Sequence, residues 1–366
     1  MEDTPERSYG LANATDYFVQ FFVRERAFLV FVTMGFLAAG LFFETPQVAR
    51  WLGFLFASYA VVANDSIQTI GTFIASNDRK PWWALWLFIG GIFVATVTYS
   101  FFRHDGDVSF QRLSAKGFEH TPLSFSFLQV AAPLFLMVMT RMRMPVSTTF
   151  LLLSSFATSI DSVGQILTKS LSGYVVAFVV SALVWGVSAP ALSRWYQRPA
   201  HSLWRSAQWV TSGVLWSVWI MQDAANIAVY LPRSLSAMQF LGFTAVIFCG
   251  LGVLFFLRGE RIQAVINEKS SVVDVRAATV IDFIYAVILY VFKTLSHIPM
   301  STTWVFIGLL AGRELAMSFR GVAKGNARMA LRMLAKDVAY VSLGLLCSML
   351  IAASVNEAFR RSLLGS

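Results

Sequence analysis

The sequence predicts an all-α integral membrane protein with about 10–12 membrane segments, each long enough for the roughly 20 apolar residues of one crossing. Of its 366 residues, 57% are hydrophobic and 13% are charged, whereas soluble domains have roughly 25% charged residues. A soluble fold of this size could not bury so much apolar surface. The hydrophobic residues fall into long runs, which predicts that the chain crosses a membrane several times.

Charge and cysteine content exclude several other classes of protein. We interpret the net charge of +9 as the Lys and Arg excess of cytoplasmic loops, and expect no nucleic-acid partner. Cys249 and Cys347 lie in apolar runs without metal-ligand spacing. The chain shows no nucleophile–base pair and no phosphate-cradling loop, so we expect no enzyme activity, no catalytic residue and no cofactor. The localisation expected is multi-pass, in the inner or plasma membrane.

Six apolar runs make up the first half of the chain. They cover residues 27–43, 51–76, 81–102, 122–140, 145–165 and 173–192. The first run ends before Pro46, and the third opens with Trp82 and Trp83, an aromatic pair typical of the membrane interface. The second run is apolar except for a cluster that contains Asn64, Asp65 and Gln68.

Five apolar runs make up the second half. They cover residues 207–231, 238–257, 275–295, 299–317 and 338–355. The first of these carries a second polar cluster, Gln222, Asp223 and Asn226. The order of polar and plain runs is the same as in the first half, so the halves are related by a repeat.

The repeat can be measured from two landmarks. Asp65 and Asp223 lie 158 positions apart, and Ser147 and Ser301 lie 154 apart. We therefore predict an N-terminal segment with an additional helix over 1–50, a first repeat over 51–200 and a second repeat over 201–366. Each repeat has an odd number of segments, five if all cross and three if one hairpin re-enters, so the second repeat is inverted. Inverted repeats with broken helices are a common plan of secondary transporters.

The acid–amide clusters are the first candidate site. An ionisable residue at membrane depth costs at least about 2.5 kcal/mol and is by default a functional hypothesis. Asp65 and Gln68, like Asp223 and Asn226, are i and i+3 and share a helix face. A carboxylate with amide oxygens suits Na⁺, and a carboxylate alone could carry a proton. Helix capping is the structural alternative, and Gly71 would serve either local unwinding or close packing.

The second candidate site consists of two Ser-Thr-Thr clusters, each two residues after a proline. Pro at the first turn followed by Ser or Thr is typical of a helix start. A helix N-terminus attracts anions, and hydroxyls add donors; ordinary capping at the membrane surface is the alternative. The hydroxyl residues are Ser147, Thr148, Thr149, Ser301, Thr302 and Thr303.

With these four motifs the sequence resembles the inorganic phosphate transporter family of PiT-type symporters. That family carries Gly-Ala-Asn-Asp-x-x-Asn-x-x-Gly-Thr and Pro-x-Ser-Thr-Thr-His patterns in its two halves. The corresponding segments here are Val62-Ala63-Asn64-Asp65-x-x-Gln68-x-x-Gly71-Thr72, Pro145-Val146-Ser147-Thr148-Thr149-Phe150, Gln222-Asp223-x-x-Asn226 and Pro299-Met300-Ser301-Thr302-Thr303-Trp304. The resemblance extends over about residues 51–357.

The resemblance implies a symporter that moves inorganic phosphate with Na⁺ or H⁺, and by analogy a homodimer. It implies anion contacts from the two Ser-Thr-Thr clusters with Asn64 and Gln222, and cation or proton contacts from Asp65, Asp223, Gln68 and Asn226. Two alternatives remain: a sulfate or other oxyanion permease, and a non-transporting receptor or scaffold derived from such a carrier.

The departures from the family pattern motivate those alternatives. Val62 stands where the family has Gly, Gln68 and Gln222 stand at Asn positions, and Phe150 and Trp304 replace His.

Overall fold

The structure is a computed structural model that describes residues 14–77, 79–115, 117–142, 146–157, 160–195, 199–257, 274–321, 327–355 and 360–361. Within these ranges every regular element is helical, which confirms the predicted all-α class. Pro145 of the first Ser-Thr-Thr segment lies outside the described residues, as do 258–273 between two helices of the second half.

Six α-helices and three short helical turns form the first half. The α-helices are α1 (Ala14–Phe42), α2 (Pro46–Thr69), α3 (Gly71–Ser76), α4 (Trp82–Arg103), α5 (Phe127–Arg141) and α6 (Ile160–Trp195). The short turns are a 3₁₀ turn at Arg112–Ser114, a π-turn at Thr149–Leu153 and a 3₁₀ turn at Ser154–Phe156.

Five α-helices of the second half are described. They are α7 (Leu203–Ala228), α8 (Ala237–Phe256), α9 (Val275–Leu295), α10 (Thr302–Phe319) and α11 (Ala327–Val355).

The bundle exposes apolar side chains on its outside and buries polar side chains within a mainly apolar core, as is typical of a membrane protein. Leu41, Phe102, Val187 and Met238 are at least three-quarters exposed, whereas most of the predicted polar site residues are buried. Five described helices are long and apolar enough to cross a bilayer; they contain 25–42, 82–103, 160–188, 237–256 and 275–295. Polar residues interrupt the hydropathy of the other long helices.

One predicted boundary is wrong. The runs 145–165 and 173–192 do not correspond to two helices, because residues 160–195 form the single 36-residue helix α6. The polar stretch between the runs stays helical because Thr168, Ser170 and Ser172 each donate to the carbonyl four residues earlier, which satisfies their hydroxyls within the helix. The chain breaks instead at Ala157, whose ψ of 132° is extended.

Helix contacts occur in matched pairs across the two halves. α2 packs on α5 as α7 packs on α9, and α4 packs on α7 as α8 packs on α2. α6 packs on α10, and correspondingly α11 packs on the two short turns at residues 149–156. The packing therefore follows the repeat found in the sequence, and each half supplies a long helix that supports the other half's Ser-Thr-Thr segment.

Helices α6 and α10 approach each other closely enough for backbone contact. A Cβ at Gly308 would overlap the carbonyl oxygen of Tyr174, and a Cβ at Gly312 would overlap that of Phe178. Ser181 Oγ of α6 donates to Leu309 O at 2.6 Å. Small residues four apart allow this approach between membrane helices, so α6 holds α10 in a fixed position.

Candidate functional site

Asp65 lies in the last part of α2, just before the helix is interrupted at Ile70 and restarts at Gly71 as α3. The Asp65 side chain is fully buried. Asn64 Nδ2 donates to Asp65 Oδ1 at 2.7 Å and to Val146 O at 3.1 Å. Thr148 Oγ1 donates to Asp65 Oδ2 at 3.1 Å. The first acid–amide cluster thus contacts the first Ser-Thr-Thr segment directly.

Asp223 occupies the corresponding place on α7 and is also fully buried. Asn226 Nδ2 lies 2.7 Å from Asp223 Oδ1, 3.0 Å from Thr148 Oγ1 and 3.3 Å from Thr149 Oγ1. Thr149 Oγ1 lies 3.5 Å from Asp223 Oδ1. Thr148 therefore contacts Asp65 and Asn226 at once, and the two acid–amide clusters meet through it.

The first Ser-Thr-Thr segment is a short, irregular element. Ser147 Oγ accepts from Phe150 N at 3.2 Å, in the manner of a helix cap. The π-turn and 3₁₀ turn that follow span only eight residues in total before the break at Ala157. Single π-turns occur frequently at functional sites, and this one directs the Thr148 and Thr149 hydroxyls toward the aspartates.

The second Ser-Thr-Thr segment begins the regular helix α10. Ser301 is its N-cap, and Ser301 Oγ accepts from Trp304 N at 3.3 Å. The two segments touch, because Thr149 Oγ1 donates to Met300 O at 3.1 Å. The rings of Phe150 and Trp304 also contact each other, with centroids 5.6 Å apart.

Several polar atoms at this junction have no hydrogen-bond partner in the described structure. These atoms are Gln222 Oε1, Asp223 Oδ2, Asn226 Oδ1, Thr302 Oγ1 and Thr303 Oγ1. A buried polar group without a partner costs about 1–3 kcal/mol, so five such groups in junction residues and their neighbours in sequence require an explanation. The set combines hydroxyl donors with oxygen acceptors. It can therefore hold an oxyanion and a cation side by side.

Two of these residues, Thr302 and Gln222, belong to the second half of the chain and have described neighbours. The Thr302 hydroxyl faces the Asp223 carboxylate, although neither Thr302 Oγ1 nor Asp223 Oδ2 forms a hydrogen bond. Gln222 Nε2 donates to Leu289 O of α9 at 3.0 Å, which fixes the side chain and leaves its oxygen free. Of the residues predicted for the site, Gln68 lies on α2, and its side chain is outside the described part.

Sequence reasoning missed a third buried acid, Asp282 of α9. Its exposed fraction is 1%. Thr72 Oγ1 donates to Asp282 Oδ1 at 2.8 Å, and Ser212 Oγ donates to Oδ2 at 2.5 Å. The sequence did contain an indication of this residue, since the charged Asp282 interrupts the apolar run 275–295. Both carboxylate oxygens have partners, so Asp282 joins α3, α7 and α9 and is separate from the Ser-Thr-Thr junction.

Replacing Asp282 with alanine should destabilise the protein. The Thr72 and Ser212 hydroxyls would lose their acceptor, at a cost of about 1–3 kcal/mol. Asp282→Asn retains one acceptor oxygen and should cost less. The midpoint of thermal unfolding in detergent should be highest for wild type, lower for Asp282→Asn and lowest for Asp282→Ala. Equal midpoints for Asp282→Ala and wild type would contradict the structural role of Asp282.

Arg112 is a second residue that the sequence did not reveal. The 3₁₀ turn that carries it folds back into the bundle, and its side chain is fully buried. Arg112 Nη1 donates to Ser296 O at 2.5 Å and Nε to Met221 O at 3.4 Å. Burial lowers the pKa of Arg112 to about 10, against a smaller opposite effect of Asp223. The guanidinium therefore stays charged at neutral pH, near the site.

Comparisons with known proteins place this geometry in a known fold. A solved structure entitled "The sodium-dependent phosphate transporter" superimposes with a TM-score of 0.56 and 16% sequence identity, over 87% of this chain and 99% of that one. No protein-family model matches the chain, and no curated protein sequence does.

The protein therefore has the fold of a membrane transport protein. More particularly, it is similar to a phosphate transporter in architecture, and the known likeness is to a transporter and not to an enzyme.

Proposed function

We propose that this protein is a secondary active symporter that moves inorganic phosphate across the membrane together with Na⁺ or H⁺. The observation that carries the proposal is the junction of the two Ser-Thr-Thr segments, where Asp223 and four other buried residues present unpartnered polar atoms. The transporter-like fold supports it. Buried ionisable groups facing the bundle interior mark ion or substrate pathways in membrane proteins.

The anion is held mainly by the second-half segment. The Thr302 hydroxyl lies beside Asp223, the Thr302 and Thr303 hydroxyls are both buried without a partner in the described structure, and the start of α10 adds the positive end of its dipole. Thr148 and Thr149 approach from the first half, but their hydroxyls already donate to Asp65 and to Met300 O. They must turn toward the anion when it binds, which would free Asp65 for a cation.

The unpartnered Asp223 Oδ2 favours phosphate over sulfate. Phosphate carries at least one proton near neutral pH and can donate it in a hydrogen bond to a carboxylate, whereas sulfate has no proton to donate. A carboxylate facing sulfate would meet an uncompensated negative charge in a buried site. Asp65 is then the better candidate for the coupling cation.

Alternating access follows from the two-half architecture. If the halves rock against each other, the junction opens to one side of the membrane at a time. The bound cation offsets the charge of the anion during the crossing. The Na⁺ or H⁺ gradient then drives uptake.

Uptake into vesicles containing the purified protein tests the proposal. We expect saturable uptake of radioactive phosphate that depends on an inward Na⁺ or H⁺ gradient, and much weaker uptake of radioactive sulfate. Empty vesicles are the control, and separate Na⁺ and pH gradients identify the coupling ion. Saturable sulfate uptake without phosphate uptake would overturn the substrate, and no saturable uptake of either anion would overturn the transport function.

A further inference from the structure

A second feature lies beside the junction: an open cavity of about 740 Å³. It is lined by residues 160–172 of α6 on one side, and by the end of α9 with the turn up to residue 298 on the other. That turn continues directly into the second Ser-Thr-Thr segment, since Met300 O already contacts Thr149. The same stretch of α6 also contacts the second Ser-Thr-Thr segment, since Ser301 N donates to Ser170 Oγ at 2.8 Å, so the cavity lies next to that segment.

Two basic side chains converge at this cavity on one carbonyl oxygen. Lys169 lines the cavity, and its Nζ donates to Ser296 O at 3.1 Å and to Ile298 O at 2.5 Å. Arg112 Nη1 donates to the same Ser296 O from the protein interior. Like charges this close repel each other, so the pair would be stabilised by an anion.

In the part of the chain that the structure describes, neither Lys169 nor Arg112 forms an ion pair with a carboxylate, although Asp223 is close enough to Arg112 to affect it electrostatically. Asp161 lines the cavity but is exposed, and forms no described ion pair with Lys169. Lys293 lies near enough to Arg112 for the two to affect each other electrostatically, which adds to the positive potential. Arg112 Nη2 is buried and has no partner, so a donor is available.

We propose that Lys169 and Arg112 form an access site that binds a tetrahedral oxyanion, such as phosphate or sulfate, before it reaches the Ser-Thr-Thr junction. Its role in transport rests on the proposed function, but its affinity for anions does not. Among the described residues in and beside the cavity, basic ones outnumber the one acid, Asp161, and an excess of positive charge beside a cleft raises the local concentration and the entry rate of anions. The site attracts anions by charge and leaves selection to the junction.

Cysteine labelling in the cavity tests this site without any transport measurement. In a Cys249→Ser, Cys347→Ser background, Ser172→Cys places a thiol on the exposed lining of the cavity. The measured quantity is the labelling rate of a negatively charged methanethiosulfonate reagent divided by that of a positively charged one. This ratio should be about tenfold higher at Ser172→Cys than at Ser202→Cys on an exposed turn, because the cavity potential concentrates anions. Inorganic phosphate and sulfate should both slow the reaction.

Charge neutralisation identifies the residues responsible. Adding Lys169→Gln should remove most of the preference for the anionic reagent, whereas the exposed Lys80→Gln should leave it unchanged. Arg112→Gln should act like Lys169→Gln if that variant folds. An equal preference at Ser172→Cys and Ser202→Cys, or one that survives Lys169→Gln, would overturn the access site.

The two proposals fail in different ways. Anion-preferring labelling that phosphate slows, together with no saturable uptake, supports the access site and overturns transport. Phosphate uptake without anion-preferring labelling supports transport and overturns the access site.

Discussion

Replacing Asp223 with asparagine should abolish phosphate uptake. The carboxylate is fully buried, with Oδ1 held by Asn226 and Oδ2 without a partner at the junction. Asparagine keeps the volume but removes the charge, and can place an N–H group where the protonated phosphate would donate. Removing a buried charge that interacts with a bound partner costs about 3 kcal/mol, which corresponds to a roughly hundredfold reduction in uptake. Initial uptake rates in vesicles, normalised to folded protein, measure the effect.

Asp282→Asn is the matched control for this experiment. It makes the same chemical change at another buried acid, whose two oxygens are already occupied by Thr72 and Ser212. Its phosphate uptake should remain close to wild type in maximal rate and KM. If Asp223→Asn transports normally, Asp223 takes no part in binding; if both variants lose uptake alike, the effect is one of general stability.

Replacing Gly312 with alanine should destabilise the bundle, against the usual trend for helices. Alanine normally favours a helix by about 1 kcal/mol over glycine. Here its Cβ would overlap the Phe178 carbonyl oxygen, a backbone atom that no rotamer change can move. α6 and α10 must separate, and overpacking typically costs about 1–3 kcal/mol. Thermal unfolding in detergent should show a lower midpoint, and uptake should fall because the second Ser-Thr-Thr segment forms the start of α10.

Gly186→Ala on α6 provides the comparison. A Cβ at Gly186 meets no atom within 4 Å, so this substitution should be neutral or slightly stabilising. A Gly312→Ala variant as stable as Gly186→Ala would mean that the two helices can move apart without cost, and that α6 does not fix α10.

The sequence contained enough information for the fold class and for the main junction residues. Hydropathy predicted the helices, and the nearly equal spacing of two pairs of landmarks predicted a repeat, which the paired helix contacts follow. Asp65, Asp223 and the two Ser-Thr-Thr segments, singled out because they recur, lie together in the structure. Whether they bind an anion and a cation stays a prediction.

What the sequence did not reveal has physical reasons. Asp282 has no acid at the matching place in the first half, so the repeat argument passed over it. Arg112 lies in a polar stretch that hydropathy assigns to a surface loop, and only tertiary packing buries it. The length of α6 was not predicted because its polar serine and threonine residues resemble a loop between two apolar runs. In the structure their hydroxyls form hydrogen bonds to carbonyl groups of the same helix.

The unequal form of the two Ser-Thr-Thr segments has a consequence for how the carrier would move. The second begins an 18-residue α-helix in backbone contact with α6, so it should move as a rigid unit with that helix. The first comprises two short turns with an extended residue after them, and can deform at little energetic expense. An arriving anion should therefore pull the first segment toward the second, which makes the two halves mechanically non-equivalent despite their matching sequence motifs.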